Sequence, residues 1–318
     1  MKKKGFLLQI IILAAINTTW GQQEALTTQY MYNKLVINPA FQSNESKGSV
    51  NIMARDQWLG FDGSLTSQVL SLALPVLSKN TQFGINVKRY SFGITKVNAV
   101  GLNYSYGVKT GSGFLSGGLE VGFRNYMFDY TDSRLVASQG IDIDPSIPKS
   151  AINRNNLNLG LGIYYRTEKF YLGVSSPYVF SNALFFDQNT VLSGEFKQIL
   201  AMTGYQFKLN SGISLLTQSL VKLSTDLPFD LDVNANLIWK SKVEFGTGYR
   251  LGGNTNGLGE SLIINGGFHI YNDLFIGLAY DYPLSDLRSV TVGNVELIAR
   301  YQFERKKSNF KGFNPRFF

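Results

Sequence analysis

Hydrophobic and polar residues alternate along much of this chain. In residues 157–163 every odd position is aliphatic and every even position is Asn or Gly. Residues 231–237 repeat the pattern with Asp and Asn at the even positions, and residues 83–88 show it near the start. A period of two predicts β-strands with one polar face. A soluble β-sandwich alternates in the same way, so alternation alone does not predict a membrane protein.

The number and spacing of these segments are more discriminating. They predict about fourteen strands, most near ten residues long, which is the length of a tilted membrane-spanning strand. Longer connections fall at about 128–155, 179–195, 224–229, 252–259 and 283–291, and each follows an odd-numbered strand. Bacterial outer-membrane barrels combine short periplasmic turns with longer outer loops. The sequence therefore predicts an all-β fold, a single closed antiparallel transmembrane β-barrel with short periplasmic turns and longer extracellular loops.

A bilayer requires this closure, because backbone groups that face lipid must be hydrogen-bonded within the protein. Aliphatic side chains are then predicted to face lipid, and Asn, Asp, Arg and Gly to face the lumen. Tyrosines near strand ends suit the aromatic girdles at the membrane interfaces: Tyr164, Tyr165, Tyr171, Tyr280 and Tyr282. The charges predicted to face the lumen either line a pore or, as we favour, pair into a network that closes it: Arg55, Lys88, Arg124, Arg166, Asp232, Arg250, Asp281 and Arg300.

The two ends of the chain differ from the barrel. Lys2, Lys3 and Lys4 precede a short apolar run at 5–16, which predicts a signal peptide over residues 1–21, cleaved near Gly21/Gln22. An uncleaved anchor is the less favoured alternative, since a membrane helix needs about 20 apolar residues. Residues 22–47 are predicted to be a periplasmic or lumen segment, and 48–303 the barrel. Residues 304–318 form a basic, aromatic tail, either solvated or in contact with periplasmic components through Arg305, Lys306, Lys307, Phe313 and Phe318.

Composition excludes much enzyme chemistry. The chain has no Cys and one His, His269, so disulfides, cysteine nucleophiles and multi-histidine metal sites are excluded. The pair Asp142 and Asp144 lacks the remaining features of a calcium loop, and no glycine-rich stretch has dinucleotide-binding spacing. We therefore predict no catalytic residues, no metal and no cofactor, and expect His269 to be structural or to face the lumen. A net charge of +8 that includes the signal peptide gives little support for a nucleic-acid partner.

Several short motifs occur in a particular order: QYMYNK at 29–34, INPAF at 37–41, RDQWLGFDG at 55–63, AYDY at 279–282 and GNVEL at 293–297. With these motifs the chain resembles the PorP/SprF family of outer-membrane proteins, which is associated with type IX secretion in Bacteroidota. Residues 55–63 are similar to the family pattern R-x-Q-W-x-G-x-x-G. The family commonly has His where this chain has Asn294.

This resemblance implies a barrel that supports secretion or surface retention of large cargo proteins in the secretion and gliding machinery. It implies outer-membrane lipid, type IX secretion components and an exported cargo or adhesin as partners. We hypothesise that a partner binds an outer-rim structure shaped by Arg55, Gln57, Trp58, Gly60 and Asp62, where one large aromatic residue lies among small and polar ones.

Two alternatives remain. Asn38, Pro39 and Ala40 before the first strand also resemble FadL-like channels for hydrophobic compounds, which implies a transporter. A third possibility is a structural barrel or adhesin receptor that acts alone. A continuous apolar tunnel with a lateral opening would favour transport, whereas a lumen packed with Arg, Asp, Glu and Asn would favour a scaffold for protein contacts.

Overall fold

The chain folds into a closed antiparallel barrel of fourteen strands. The computed structural model describes residues 27–41, 47–75, 80–135, 147–179, 183–185, 191–194, 197–224, 229–252, 259–271 and 273–304. The barrel strands are β1 (Lys47–Gln57), β2 (Leu65–Pro75), β3 (Thr81–Phe92), β4 (Thr95–Thr110), β5 (Gly113–Phe128), β6 (Ile152–Arg166), β7 (Phe170–Tyr178), β10 (Gln198–Lys208), β11 (Ile213–Ser224), β12 (Asp230–Trp239), β13 (Val243–Leu251), β14 (Ser261–Tyr271), β15 (Leu274–Pro283) and β16 (Asn294–Glu304). A separate hairpin, β8 (Ala183–Phe185) with β9 (Val191–Gly194), lies in the connection between β7 and β10.

The first and last strands close the barrel. They pair antiparallel with Arg55 opposite Glu296 and Lys47 opposite Glu304. Along each strand, buried positions alternate with exposed ones, as expected when one face meets lipid and the other a filled interior. The exposed positions carry large apolar residues such as Ile52 and Leu157. The predicted all-β barrel, with short periplasmic turns and longer extracellular loops, is therefore confirmed.

Some details differ from the sequence-based expectation. Strand β6 begins at Ile152, before the predicted start at 156, because polar residues at its outer end continue the pairing with β5. The β8–β9 hairpin was not predicted. Tyr164 and Tyr171 do not belong to an interfacial girdle, because both are buried on the lumen side, whereas Tyr282 is exposed.

Residues 27–41 run through the lumen, and we call them the lumen segment. The segment contains two short 3-10 turns, Tyr30–Tyr32 and Lys34–Val36, and packs in two hydrophobic clusters against the barrel wall. Thr28 contacts residues near the outer ends of the strands, and Ala40 contacts residues near the periplasmic ends. The chain thus descends through the lumen towards β1. The predicted signal peptide and the tail from 305 onward lie outside the described residues.

Among the residues that the structure describes, no helix is long and apolar enough to cross a membrane.

Candidate functional site

The outer end of the lumen segment is fixed to the barrel wall by hydrogen bonds. The backbone N–H groups of Thr28 and Gln29 donate to the two carboxylate oxygens of Glu296, at 2.8 and 2.6 Å. The Thr28 hydroxyl donates to Asp281 at 2.7 Å and accepts from Arg55 Nη1 at 2.7 Å. Thr28 and Glu296 lie 268 positions apart in the chain, so these bonds form only when both ends of the barrel meet.

A group of buried, paired charges surrounds Thr28. Arg250 pairs with two carboxylates of this group: its Nη1 lies 3.2 Å from Asp281 and its Nε lies 2.6 Å from Asp232. Arg55 Nη2 lies 2.7 Å from Asp281. Lys222 extends the group to Asp232 at 3.2 Å. We call these residues the outer charge cluster: Arg55, Lys222, Asp232, Arg250, Asp281 and Glu296.

The outer charge cluster contains three cations and three carboxylates, and Asp230, 2.8 Å from Lys222, adds a further carboxylate at its edge. Buried ions are tolerated when they are paired and their remaining hydrogen-bonding groups are satisfied. The cluster draws its side chains from β1, β11, β12, β13, β15 and β16. It therefore joins nearly half of the barrel wall to the lumen segment. Beside it, burial raises the pKa of Glu260, which precedes β14, and the positive charge of Arg250 offsets part of this effect.

The inner part of the lumen segment is held by a turn built on Asn38. Its side-chain oxygen accepts from the Ala40 N–H at 2.8 Å, and its amide donates to the Ile163 carbonyl at 3.0 Å. Pro39 fixes the backbone between them. The Ser116 hydroxyl donates to the Ala40 carbonyl at 2.7 Å. Asn38, Pro39 and Ala40, which the sequence analysis grouped as one motif, thus fasten the segment to β5 and β6.

Glycines in the barrel wall make room for this turn. A Cβ atom at Gly118 would meet the Pro39 carbonyl oxygen and the backbone of Ala40, and one at Gly162 would meet the Asn38 side chain. Gly117, beside Gly118 on the opposite face of β5, has open space around it. Glycine at these lumen-facing positions therefore permits the close approach of a second backbone.

The middle of the segment packs against the lower half of the lumen. The Tyr32 hydroxyl donates to Glu244 at 2.8 Å, and the Asn33 amide donates to the Ser71 hydroxyl at 2.9 Å. The Lys34 ammonium donates to the Met31 carbonyl at 2.9 Å and lies 4.6 Å from the centre of the Tyr171 ring. Polar and aromatic side chains, rather than a continuous apolar tunnel, therefore occupy this part of the lumen.

Two loops join at the outer rim. The Leu59 N–H donates to the Gly293 carbonyl at 2.9 Å, and the Val292 N–H donates to the Leu59 carbonyl at 3.2 Å. The Trp58 N–H donates to Asn294 Oδ1 at 2.9 Å. We call residues 58–64 and 284–293, which form the β1–β2 and β15–β16 connections, the outer ridge.

The outer ridge exposes large apolar side chains beyond the ends of the strands. Phe61 is 53% exposed and Val292 65%, and Leu287 and Val290 are exposed beside them in the same loops. Exposed apolar groups that are contiguous and rimmed by polar residues often mark sites of protein contact. The outer ridge is therefore the candidate contact surface on the extracellular side.

The five residues proposed from sequence to shape this rim divide into two groups. Arg55 and Gln57 are buried and face the lumen. Trp58 adopts a left-handed backbone conformation with φ 65°, which is uncommon for a bulky residue and turns the chain out of β1. Gly60 and Asp62 are exposed in the outer ridge. Trp58 stands at the junction of the two groups, between the outer charge cluster and the exposed loop.

Of the other charges predicted to face the lumen, Lys88 and Arg124 lie on the opposite wall from the outer charge cluster. They line a shallow cleft together with Glu120 and Asn158. The Arg124 guanidinium lies 4.2 Å from the centre of the Tyr178 ring. This cleft occupies the outer half of the lumen on the β3–β6 side.

Two more predicted lumen cations lie towards the periplasm. The guanidinium of Arg166 is 5.3 Å from the Phe114 ring, and that of Arg300 is 5.5 Å from the Phe275 ring. The single histidine, His269, packs 5.0 Å from the Phe275 ring, with Nε2 3.5 Å from Glu244. The tail residues proposed for periplasmic contact, Arg305, Lys306, Lys307, Phe313 and Phe318, lie outside the described residues, as do Asp142 and Asp144.

Sequence reasoning did not identify Thr28, Lys222 and Glu296 as members of one site. Glu296 could have been predicted as a site residue, because it is the glutamate of the GNVEL motif and occupies a lumen-facing position of β16. The motifs at 29–34, 55–63, 279–282 and 293–297 are far apart in sequence, yet the structure brings all four to the outer charge cluster. Within the described parts of the chain, no three His, Asp or Glu side chains are grouped to hold a metal ion.

Comparison with known proteins gives both a family and a fold. The family model for the type IX secretion system membrane protein PorP/SprF matches residues 19–301. None of the curated proteins compared with the chain matches it. Among solved structures, the CymD monoaromatic hydrocarbon channel is similar with a TM-score of 0.52 and 11% identity, over 86% of this chain and 93% of that one. The toluene transporter TbuX of Ralstonia pickettii gives a TM-score of 0.51 and 12% identity, over 86% and 94%. At such identities the likeness shows the barrel fold alone.

Proposed function

Because this chain belongs to the PorP/SprF family of type IX secretion system membrane proteins, we propose that it supports the secretion or surface retention of large cargo proteins through protein contacts. It is an outer-membrane β-barrel of the type IX secretion family. The finer proposal is that the barrel acts as a scaffold, without catalysis and without passing solutes, and that an exported cargo or adhesin contacts its outer ridge.

The observation that carries this proposal is the filled lumen. The lumen segment crosses the barrel and is bound at its outer end by the outer charge cluster and at its inner end by β5 and β6. Paired Arg and Asp side chains lie where an apolar tunnel would have to pass. Such a lumen suits a rigid support for partner proteins better than a route for hydrophobic compounds.

The outer ridge supplies the contact surface in this proposal. Its exposed apolar residues lie on loops that are tied by backbone hydrogen bonds and continue into the outer charge cluster through Trp58 and Asn294. A partner that binds the ridge would therefore meet a preorganised surface, which lowers the entropic cost of binding.

Substitution of Trp58 tests the proposal. We expect Trp58→Ala to reduce the amount of type IX cargo on intact cells, with affinity for the cargo falling about tenfold or more, because truncating a central interface aromatic costs roughly 2 kcal/mol. Surface labelling of intact cells followed by quantification of exported proteins measures the effect.

Leu209→Ala is the control, since Leu209 is an apolar residue, more exposed than the half-buried Trp58, and lies in the periplasmic turn between β10 and β11. It should leave display unchanged. Both variants should remain folded barrels, as shown by retarded migration in gels before heating. Normal cargo display in folded Trp58→Ala would count against the outer ridge as the contact surface.

A second candidate function, passage of hydrophobic small molecules, takes its support from the fold likeness to hydrocarbon channels. Toluene uptake by cells or liposomes that carry the barrel distinguishes a channel from a scaffold. The scaffold proposal expects uptake no faster than with empty liposomes. Saturable uptake that depends on the barrel would favour the channel.

The ends of the chain complete the proposal. Residues 1–21 would direct export of the chain across the inner membrane and would then be removed near Gly21/Gln22, before the barrel inserts into the outer membrane. The tail at 304–318 would then contact periplasmic components of the secretion machinery through its basic and aromatic residues. N-terminal sequencing of the purified barrel tests the first point, and a first residue other than Gln22 would contradict it.

A further inference from the structure

The periplasmic turns of the barrel carry a set of exposed lysines. They occur at the end of β4, in the β6–β7 turn, at the end of β10 and in the β12–β13 turn. We call them the lysine collar: Lys109, Lys169, Lys208, Lys240 and Lys242. None of the five makes an ion pair with any part of the chain that the structure describes. The collar covers successive periplasmic turns from β4 to β13.

Strand parity places three of these lysines at the mouth of the lumen rather than in the lipid interface. Lys109 continues the buried, lumen-facing series of β4, and Lys208 continues that of β10. Lys242 precedes the lumen-facing Glu244 by two residues, so it has the same parity. The neighbouring residues of opposite parity are apolar and exposed, including Phe207 and Trp239. Phe207 and Trp239 thus face outward, and Lys109, Lys208 and Lys242 lie on the lumen side of their strands. The Lys240 ammonium lies 5.2 Å from the centre of the Trp239 ring.

Few described acids balance this charge on the same face. Glu168 lies in the β6–β7 turn, Glu304 ends β16, and Asp273 is paired with Lys47 at 3.3 Å. Deeper in the lumen, Arg300 and Glu244 add one charge of each sign behind the collar. On this face the described lysines outnumber the described acids. An excess of positive charge attracts anionic partners and speeds their association.

The rest of the chain does not supply a complementary acidic segment. Residues 305–318 contain five basic residues and no acid, and residues 42–46, which join the lumen segment to β1, contain one acid, Glu45. An occupant with matching charge must come from another molecule. Because the collar spans several turns around the opening, it matches an extended acidic surface better than a single small anion.

We propose that the lysine collar binds an acidic face or segment of a periplasmic protein, which covers the inner mouth of the barrel. This surface is distinct from the outer ridge, so the proposal stands or falls independently of cargo binding outside the cell. The lumen-facing parity of Lys109, Lys208 and Lys242 favours a protein over the anionic headgroups of the inner leaflet, which lie around the outside of the barrel.

Binding of a fluorescent oligo-glutamate peptide tests the proposal directly. The full barrel in nanodiscs of zwitterionic lipid should bind the peptide, with affinity that weakens as salt is raised. Joint substitution of Lys109→Gln, Lys169→Gln, Lys208→Gln and Lys240→Gln should weaken binding about tenfold or more, since each lost ion pair contributes up to about 1 kcal/mol. Fluorescence anisotropy measures both effects.

Four basic residues of the outer half serve as the matched control: Lys96, Lys149, Lys197 and Arg288. Their joint replacement by Gln removes the same charge and should change peptide affinity less than about twofold. Exposed substitutions of this kind usually alter stability by less than about 0.5 kcal/mol, and heat-modified gel migration checks that both variants are folded. Equal loss of affinity in the two variants would overturn the proposal, because it would show a response to net charge alone.

A lipid ligand gives a different result. If wild-type barrel fails to bind the peptide but retains phosphatidylglycerol in a collar-dependent manner, as read by mass spectrometry of the purified barrel, the collar binds headgroups and the proposal is wrong. In cells, a photo-crosslinking residue at Lys208 should link to an acidic peptide of a periplasmic protein. Linkage to lipid alone would likewise contradict it.

Discussion

Replacing Gly118 with valine should release the inner part of the lumen segment and open the barrel to ions. A side chain at Gly118 would collide with the Pro39 carbonyl and the Ala40 backbone, and a backbone cannot yield as a flexible side chain can. Overpacking of this kind costs about 1–3 kcal/mol, enough to compete with the few hydrogen bonds that hold Ala40. In planar bilayers, Gly118→Val should conduct about tenfold more than wild type, because a barrel of this size encloses space for water once unfilled.

Gly117→Val is the control for this variant. Gly117 is the preceding residue on the same strand, faces outward and has no atom near an added Cβ. The conductance of the Gly117→Val barrel should therefore match that of wild type. Trypsin gives a second readout, since Lys34 is the one tryptic site within 28–41 and is held against Tyr171. Cleavage at Lys34 should appear in Gly118→Val only. Identical conductance and protection in the two variants would show that the segment does not depend on the space at Gly118.

Removing the carboxylate of Asp281 should destabilise the barrel more than any other single charge deletion discussed. Asp281 accepts from Arg55 at 2.7 Å, Arg250 at 3.2 Å and Thr28 at 2.7 Å. Asp281→Ala leaves two buried guanidinium groups short of a partner, and breaking a buried pair in this way costs about 3–5 kcal/mol. The thermal unfolding midpoint should fall by at least about 5 °C.

Asp273→Ala is the matched control, because Asp273 lies just before the same strand, β15, and is paired with Lys47 at 3.3 Å, but the two side chains are 46% and 34% exposed rather than buried. Exposed pairs contribute about 0–1 kcal/mol, so its midpoint should change by no more than a degree or two. Asp281→Asn keeps one acceptor oxygen, so its unfolding midpoint should lie between those of Asp281→Ala and Asp273→Ala. If the thermal unfolding midpoint of Asp281→Ala equals that of the Asp273→Ala control, the outer charge cluster contributes little to stability.

The barrel could be predicted because the pattern of neighbouring residues in each strand determines which side chains face lipid and which face the lumen. Alternation such as that in residues 157–163 assigns each side chain to one face, and the bilayer then requires closure. The lengths of the connections placed the loops on the correct sides. The start of β6 was missed because residues 153–156 are polar on both faces, outside the membrane band that enforces alternation. The β8–β9 hairpin was missed because it pairs only with itself.

The contents of the lumen were harder to predict. Parity alone places Arg55 and Gln57 inside, since they continue the buried series of Met53 on β1. Arg55 was indeed expected among the inward charges, but both residues were also assigned to the outer rim, because they adjoin Trp58 in one motif. Tyr164 and Tyr171 were expected at the membrane interface because their strand-end positions suit it. They turn inward because the lumen segment offers them an apolar surface, which no local pattern shows.

The joining of the motifs could not be inferred from their spacing. Thr28 and Glu296 are brought together by a path through the lumen, and that path depends on space left by wall glycines on other strands. Long-range contacts of this kind follow from the closed topology rather than from neighbouring residues. Knowing that residues 22–47 precede a barrel predicts proximity to the lumen, but not the bonds that hold them there.

Chemical crosslinking between the lumen segment and the wall tests most directly whether the chain fills its own barrel. The protein has no native cysteine, so Asn33→Cys and Ser71→Cys can be introduced together, where the two native side chains lie 2.9 Å apart. A short thiol-to-thiol crosslinker should join them in intact outer membranes, whereas Asn33→Cys with the outward-facing Leu70→Cys should remain unlinked. If the Asn33 and Ser71 positions fail to link while both thiols prove reactive, the segment lies outside the lumen and the barrel is open.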